Sequence, residues 1–362
     1  MMRYKKAVTI ILLSLPVLTG RAQSIRIVLT SDVHYGIFRP HFRHADHVPA
    51  EVVNKGLVHA IRVLSGQTGP IDALVITGDI ANRQEKGIQS AAVSWEQFEA
   101  NYTHPGTRAS DGEETPLWVL PGNHDVSDAI GFHRPMEPAR DASSMAGIYN
   151  YMLHPPEVRT KDNYDYDRDK VHYKRDIGGV HMLFLNLWPD SAERAWMDSD
   201  LDTVKPGTPV LLFAHSIPDV EARFFTNPNG DHGIDSADRF ENLLPEIFSG
   251  THIGEPALAE QRGFAAWLKR HPAVRAYFHG HNNNNEFYVW HGPDNDISLP
   301  CFRVDSPMKG KFSAKDEKLL SFILISIDTV TLQMTVREIL WNSKPGDPSF
   351  LKWGEKATLS LR

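Results

Sequence analysis

Five short polar clusters in the sequence contain side chains that bind metal ions or transfer protons. Each cluster directly follows an apolar run with the residue types of a buried strand. The clusters hold Asp32 and His34; Asp79; Asn123, His124 and Asp125; His215; and His279 with His281. Imidazole, carboxylate and amide groups are ligands of borderline divalent ions such as Mn, Fe or Zn, with Mg also admissible. The clusters therefore predict a metal site of mixed nitrogen and oxygen ligands.

The carboxylate of Asp79 stands alone in its loop, after the apolar run 73–77. Two metal ions about 3.5–4 Å apart share a hydroxide, stabilise charge on a phosphoryl group and clamp an in-line attack. Such a pair needs a bridging carboxylate. Asp79 suits that position.

Strands must position these clusters, and the apolar pattern predicts where the strands lie. Residues 25–29, 73–77 and 117–120 have strand character, and apolar spacing over 51–65 is typical of a helix. This order predicts a βαβ arrangement, in which polar groups collect at the carboxyl ends of strands. Further strands are predicted at 171–175, 180–187, 210–213 and 274–278, short helices around 193–201 and 264–268, and a strand hairpin near 319–341.

The ordered motifs Asp-x-His, Gly-Asp, Gly-Asn-His-Asp, His and Gly-His span roughly residues 25–290. In this order they resemble the calcineurin-like metallophosphoesterases. The resemblance implies an α/β fold built as a two-layer β-sandwich of mixed sheets flanked by helices. It also implies two divalent metal ions at the strand ends on one rim of that sandwich.

The same resemblance implies a role for each matching residue. The first metal would be held by Asp32 and His34, the second by Asn123, His215 and His281, and Asp79 would bridge the two. His124 would be a non-ligand histidine that contacts phosphate and protonates the leaving oxygen. Asp125 would orient His124.

The last motif departs from the family pattern, which reads Gly-His-x-His. Here Gly280-His281-Asn282-Asn283 places an amide where the final ligand of the first metal belongs. Asn283 still offers a carbonyl oxygen, although a weaker one than imidazole. In an alternative register His279 is that ligand. We prefer Asn283, because the strand 274–278 should end just before the loop glycine.

The first 22 residues have the pattern of a secretory signal peptide. Basic residues are followed by the uncharged run 7–20, and the small residues Gly20 and Ala22 come before a cleavage point. A lone membrane anchor is the alternative, but the apolar run is short for a span. Cleavage would leave residues 23–362 as a single metallophosphoesterase domain with no membrane span, exported to a periplasm or outside the cell. Its one cysteine, Cys301, cannot form an internal disulfide.

Two stretches, near 126–170 and 219–255, lose the regular apolar pattern and are too long for passive connections. They are interpreted as functional excursions that carry substrate specificity. The net charge of −7 and the lack of a basic stripe argue against a nucleic-acid partner.

The function predicted from these observations is an exported dimetal hydrolase of small phosphate esters. The sequence leaves open whether it is a phosphomonoesterase or a phosphodiesterase. One alternative is a degenerate phosphate-ester binding protein with a weakened first metal site. A nuclease is the other.

Overall fold

The computed structural model describes residues 24–81, 89–126, 141–166, 168–219 and 254–362. The predicted signal peptide, residues 1–22, lies outside these ranges, as do large parts of both predicted excursions.

Fourteen strands and six helices lie within the described residues. In chain order they are β1 (Ser24–Thr30), β2 (Phe38–Phe42), β3 (Ala45–Pro49), α1 (Ala50–Thr68), β4 (Ala73–Ile76), α2 (Ala91–Tyr102), β5 (Leu117–Val119), α3 (Asn123–Val126), α4 (Ser143–Leu153), β6 (Tyr173–Ile177), β7 (Val180–Phe184), α5 (Ser191–Leu201), β8 (Val210–Phe213), α6 (Gly254–Arg270), β9 (Val274–His279), β10 (Glu286–Trp290), β11 (Leu299–Arg303), β12 (Ser321–Asp328), β13 (Gln333–Leu340) and β14 (Lys352–Ser360).

The first sheet has the strand order β14-β13-β12-β1-β4-β5. Its strands β1, β4 and β5 run parallel, with Val28 opposite Leu74 and Val75 opposite Trp118. On the other side β12 pairs antiparallel with β1 and forms a hairpin with β13. The parallel strands are buried on both faces, as their continuous apolar sequences require.

The second sheet has the strand order β10-β11-β9-β8-β7-β6. Its central strands β7, β8, β9 and β11 are parallel, and the edge strands β6 and β10 are antiparallel to their neighbours. Both sheets are therefore mixed, as predicted.

The two sheets pack face to face through large side chains. The rings of Trp118 and Phe184 meet edge to face with centroids 5.5 Å apart. The Tyr173 hydroxyl donates to the carbonyl of Val119 at 2.9 Å, which ties β6 to β5. One hydrophobic core includes residues from both sheets, so the fold is the predicted α/β sandwich.

Helices cover the outer faces of the sheets. On α1 the residues Val53, Leu57, Ile61 and Leu64 are fully buried, in line with their helical spacing. In the other layer, the indole nitrogen of Trp267 in α6 donates to Asp198 of α5 at 2.6 Å. None of the helices in the described ranges has both the length and the apolar character to cross a membrane.

The described part of the stretch 126–170 contains a helix that its sequence did not suggest. Its residues 143–153 form α4, which buries Met145, Ile148 and Met152. Gly147 of α4 lies directly beside the ring of Trp95 in α2, where a methyl group would be 2.5 Å from the indole. At least this part of the stretch is therefore packed onto the domain.

Candidate active site

The predicted polar clusters meet at one edge of the sandwich. They follow the carboxyl ends of β1, β4 and β5 in one sheet and of β8 and β9 in the other. Because these strands run parallel within each sheet, their loops emerge on the same side. The described residues that gather there include Asp32, His34, Asp79, Asn123, His124, His215 and His281.

Asp79 lies at the centre of this cluster. Its Oδ2 is 3.7 Å from His34 Nε2 and 3.9 Å from His124 Nε2, while its Oδ1 is 3.5 Å from His215 Nε2. Two groups of side chains bring ligand atoms within 4.8 Å of one another, and Asp79 belongs to both. One group adds His34 and His124, and the other adds Asp32 and His215. Asp79 thus reaches both sides of the cluster, as a carboxylate shared by two ions must. These groups pair Asp32 with His215 and include His124, so they do not follow the division of ligands that the resemblance implied.

On one side of Asp79, three ligand-type atoms converge. Asn123 Oδ1 lies 3.0 Å from His215 Nε2 and 2.9 Å from His281 Nδ1, and the two nitrogens are 3.2 Å apart. The other ring nitrogen of His215 donates to the carbonyl of Thr77 at 2.7 Å. A neutral His215 therefore turns a lone pair, not a proton, toward the amide oxygen. Lone pairs this close repel one another, and a cation held between them would remove that repulsion. The residues therefore fit the second metal.

On the other side of Asp79, the carboxylate of Asp32 fits a metal as well. It is completely buried, and its Oδ2 accepts a hydrogen bond from the amide of His281 at 3.0 Å. Its Oδ1 lies 3.8 Å from His34 Nε2 and accepts no hydrogen bond from the described residues. A buried carboxylate oxygen without a donor is costly unless a cation neutralises it.

The backbone at these candidate ligands is unusual. Asp32, His34, Asp79, His281 and Asn283 all have positive φ angles, between 41° and 72°. Residues other than glycine rarely adopt positive φ angles, and such backbone strain concentrates at functional sites.

Glycines let the loops approach closely. A Cβ atom on Gly122 would lie 2.2 Å from Asp79 Oδ1, and one on Gly280 would lie 2.4 Å from Asp32 Oδ2. The glycines of these two motifs thus make room for carboxylates.

Burial and the neighbouring charges favour a proton on Asp79 or His215 when no cation is bound. Burial raises the pKa of Asp79 to about 7, and the nearby His215 offsets part of that rise. Burial lowers the pKa of His215, but the carboxylates of Asp79 and Asp32 raise it by more, so the net shift is upward. A divalent ion binding here would displace this proton.

The two registers of the last motif differ in what their side chains contact. His279 Nδ1 donates to the carbonyl of Gly280 at 3.0 Å, and its Nε2 accepts from the Tyr288 hydroxyl at 2.8 Å. Burial, followed by the charge of Arg303, lowers the pKa of His279 to about 3. Both ring nitrogens are therefore engaged, and the imidazole is neutral.

Asn283 has the opposite arrangement. Its amide nitrogen donates to the carbonyl of His281 at 2.9 Å, which fixes the direction of the amide group. Its buried amide oxygen has no hydrogen-bond partner among the described residues. This contrast favours the register in which Asn283 supports the first metal.

Asp125 does not contact His124 as the resemblance implied. Its Oδ1 accepts from the amide of Ala81 at 2.9 Å and from the Ser144 hydroxyl at 2.6 Å, while its Oδ2 accepts from the amide of Gly122 at 2.8 Å. The Ile80 amide lies 3.1 Å from both oxygens.

The lone pairs of Asp125 are thus used by donors of two loops and of helix α4. The interpretation that Asp125 orients His124 is therefore wrong, and Asp125 instead clamps the loop of Asp79 to the Gly-Asn-His-Asp turn. His124 itself touches that loop through its backbone, because its amide donates to Asp79 Oδ1 at 2.9 Å.

One supporting residue was missed in the sequence. The buried Ser306 hydroxyl donates to the carbonyl of Asp32 at 2.7 Å and accepts from the amide of Lys309 at 2.8 Å. It holds the loop of Asp32, a candidate ligand, from a segment 274 positions away. A lone serine in a Ser-Pro pair gives no signal of that contact.

Comparison with known proteins agrees with this geometry. The family model described as calcineurin-like phosphoesterase matches residues 25–299. Among curated protein sequences none matches the chain.

Three solved structures illustrate the structural similarity. A dimetal phosphatase from Danio rerio is 10% identical, with 93% of this chain and 99% of that chain covered and a TM-score of 0.52. The calcineurin-like phosphoesterase YfkN from Bacillus subtilis is 11% identical, with coverage of 93% and 91% and a TM-score of 0.33. Vps29 complexed with zinc, from Entamoeba histolytica, is 10% identical, with coverage of 93% and 100% and a TM-score of 0.33. At these identities the first structure supports the fold alone.

Proposed function

This chain belongs to the calcineurin-like phosphoesterase family, and on that premise we propose that it is an exported, metal-dependent hydrolase of small phosphate esters. The proposed substrates include both phosphate monoesters and phosphate diesters, but not nucleic acid. The observation that carries the proposal is the position of Asp79, which belongs to both groups of ligand atoms.

The proposed metal ligands divide around Asp79. Asp32 and His34 would hold the first ion with support from Asn283, and Asn123, His215 and His281 would hold the second. When bound, two divalent ions such as Mn, Fe or Zn would supply positive charge to the phosphoryl group and make water a stronger nucleophile.

The chain's own residues supply orientation and a proton. His215 is fixed by its bond to Thr77, so its Nε2 keeps one direction, toward Asn123 and Asp79. His124 is the proposed proton donor to the leaving oxygen, a role that imidazole performs near neutral pH. Its Nε2 lies 3.9 Å from Asp79 Oδ2, and its backbone amide donates to Asp79 Oδ1, which places the ring at the proposed metal centre.

The proposed ester is small because the charge of the chain does not favour a polyanion. The net charge is −7, and phosphate backbones bind mainly through electrostatic attraction. A second candidate, a binding protein without turnover, is favoured by one observation: an amide, Asn283, stands in the place of a ligand imidazole.

The test compares Asp79→Asn with the native chain. Purified protein, freed of metal and reloaded with Mn, Zn, Fe or Mg, is assayed on nitrophenyl phosphate, its bis-ester and a nitrophenyl phosphonate ester. We expect turnover by the native chain, and Asp79→Asn to lose activity and bind one ion or none. Asp46→Asn is the matched control, because it removes the same charge from a side chain that is 84% exposed.

Each remaining outcome counts against the proposal. Activity and metal content that survive in Asp79→Asn would place the site elsewhere. Tight binding of phosphate esters without turnover on any metal would favour the binding protein. Cleavage of DNA or RNA in preference to the small esters would favour a nuclease.

A further inference from the structure

The large apolar side chains that are exposed in the described residues are concentrated in three segments. The most exposed phenylalanine, tryptophan and leucine side chains, between 42% and 52% exposed, are Phe38, Phe312, Leu319, Phe350 and Trp353. All five belong to the hairpin 38–49, to segment 309–319 or to segment 342–353. Exposed apolar side chains that gather in this way mark an interaction surface, whereas scattered ones do not.

The three segments contact one another. In the hairpin 38–49, the Arg43 amide donates to the Glu317 carboxylate at 2.7 Å, and the Arg43 guanidinium donates to Asn342 at 2.8 Å. The side chain of Asn342 in turn donates to the Glu317 carboxylate at 2.9 Å. The segments therefore form one surface, which we call the loop surface.

The loop surface lies at the edge of the sandwich that holds the candidate active site. Strand β12 is antiparallel to β1, so its first residue, Ser321, is near the carboxyl end of β1. Leu340 of β13 lies opposite Ser321, and Lys352 of β14 lies opposite Leu340. The Lys311 amide also donates to the carbonyl of Asn283 at 2.5 Å. A partner that covers the loop surface would therefore lie beside the candidate site.

The loop surface is basic, although the whole chain has a net charge of −7. Its three segments contain eight lysine or arginine residues and four acidic residues. Two of the acidic side chains are already paired, Asp46 with His41 at 2.6 Å and Asp347 with Lys344 at 3.2 Å. Four exposed lysines form no ion pair with any described residue, and these are Lys311, Lys315, Lys318 and Lys352.

The opposite edge of the sandwich has a different character. Five acidic residues line one cavity there, beside the starts of β4 and β5, and these are Asp72, Asp111, Glu113, Glu114 and Asp176. The charge of the molecule is thus distributed unevenly, with free lysines on the loop surface. An anionic partner would be attracted to that surface and repelled by the acidic cavity.

Two of the exposed rings have an ammonium group beside them. Lys311 Nζ lies 5.5 Å from the ring centroid of Phe312, and Lys344 Nζ lies 5.7 Å from that of Phe350. At a membrane such a ring enters the boundary between headgroups and acyl chains, while the ammonium stays with the lipid phosphates. Lysine is depleted where two proteins meet, so the mixture of lysines and rings fits a lipid surface better than a protein partner.

We infer that the loop surface docks on a membrane that contains anionic lipids. The exposed rings and Leu319 would supply the apolar contact, and the free lysines would supply the attraction to the lipid headgroups. This docking would hold the candidate active site beside the bilayer. The inference does not depend on the proposed hydrolysis.

Sedimentation with lipid vesicles tests the docking. Metal-loaded protein is used in the form that its host produces, so residues 1–22 are present or absent equally in all variants. Vesicles of phosphatidylcholine and phosphatidylglycerol, mixed about three to one, are compared with vesicles of phosphatidylcholine alone. The native chain should bind the mixed vesicles about tenfold more tightly or better, and sodium chloride should weaken this binding.

Paired lysine variants test the role of charge. Lys311→Gln combined with Lys315→Gln should weaken binding to the mixed vesicles about tenfold. The matched control is Lys205→Gln combined with Lys269→Gln, which removes the same charge from exposed lysines that precede β8 and β9, at the opposite edge. The control should keep the native affinity.

Apolar variants test the role of the rings. Phe312→Ser combined with Phe350→Ser should also weaken binding about tenfold, because both rings lose their apolar contact. Val330→Ser is the control, since Val330 is 67% exposed in the turn after β12, at the opposite edge. It should bind as the native chain does.

Several results would overturn the inference. These are no binding to either kind of vesicle, equal binding to both kinds, equal losses in the controls, or tighter binding of a single-stranded oligonucleotide than of the mixed vesicles. A dimer that forms through Phe312 and Phe350, without vesicle binding, would show that a second copy of the chain covers the surface instead. Hydrolysis of nitrophenyl phosphate in solution is followed in the same samples and should be unchanged in these variants. Failure of the docking is therefore distinguishable from failure of the proposed hydrolase.

Discussion

The side chain of His124 is 9% exposed, whereas that of the neighbouring Asp79 is 3% exposed. It therefore lies on the outer side of the cluster, where a substrate would approach. Its contact with Asp79 Oδ1 is made by the backbone amide and does not depend on the imidazole. The ring can be removed without removing that contact.

We predict that His124→Ala keeps its metal and loses most activity on alkyl phosphate esters, by about 10²–10⁴-fold. The loss on nitrophenyl esters should be smaller, because a good leaving group needs less protonation. Metal content and turnover on both ester types are measured, with His104→Ala as a control whose side chain is 83% exposed. Equal losses on both esters would make His124 a phosphate-positioning residue.

Asn283 and His279 give opposite predictions for metal binding. An amide oxygen is a neutral and weaker ligand than imidazole, so the first metal should leave first under mild chelation. Asn283→Ala should empty that site, and Asn283→His should tighten it. His279→Ala should keep both ions, since its ring is already bonded to Gly280 and Tyr288.

Metal counts per chain on the folded variants decide between the registers. Loss of one ion in His279→Ala, with none lost in Asn283→Ala, would show that the alternative register is correct. If neither variant changes metal content or turnover, this loop does not hold the first metal.

At the scale of elements, the strands that end at the site were the easiest to predict. β1, β4, β5, β8 and β9 are short apolar runs followed at once by polar residues, because parallel strands are buried on both faces. The edge strand β14 gave no such signal: six of its nine residues are polar or glycine, and none is buried.

Contacts between loops were not predictable from the sequence. The order of motifs placed Asp125 next to His124, yet its carboxylate bonds to amides 44 and 45 positions away and to Ser144. A local motif does not reveal where a side chain turns when loops from other strands offer donors.

This clamp gives a prediction at the element scale. Asp125→Asn has the same shape but turns an NH₂ group toward donors. We therefore expect the free energy of unfolding, measured in urea, to fall by about 2–4 kcal/mol. Ser144→Ala removes one hydrogen bond and should lower the free energy of unfolding by about 1 kcal/mol. Metal affinity should fall in Asp125→Asn, because the Asp79 loop is no longer tied to Gly122.

The result also tests the interpretation that the structure contradicts. If Asp125→Asn kept its stability and metal but lost activity mainly on alkyl esters, it would behave like His124→Ala. Asp125 would then act through His124 after all.

At the scale of the whole molecule, the candidate site exists only where both sheets meet. The His215 ring from the second sheet donates to Thr77 at the end of β4 in the first. The amide of His281 donates to Asp32, 249 positions away. Both contacts depend on the packed sandwich, so metal binding and folding are expected to be linked.

That sandwich is held together without disulfides. The single cysteine, Cys301, is completely buried in β11 and belongs to the hydrophobic core. Such a core supports stability in an oxidising compartment without cross-links, which is consistent with the proposed export.

The export proposal predicts that protein isolated from its native host lacks residues 1–22. A basic start, an apolar run and small residues at positions 20 and 22 are the features that a signal peptidase requires. Ala22→Lys should block cleavage, because a long charged side chain replaces the small residue before the cut. Ala7→Lys adds the same charge to the basic start and should still be cleaved. Intact mass of the three proteins decides: a native chain that still begins at Met1 would contradict the proposal and favour a membrane anchor.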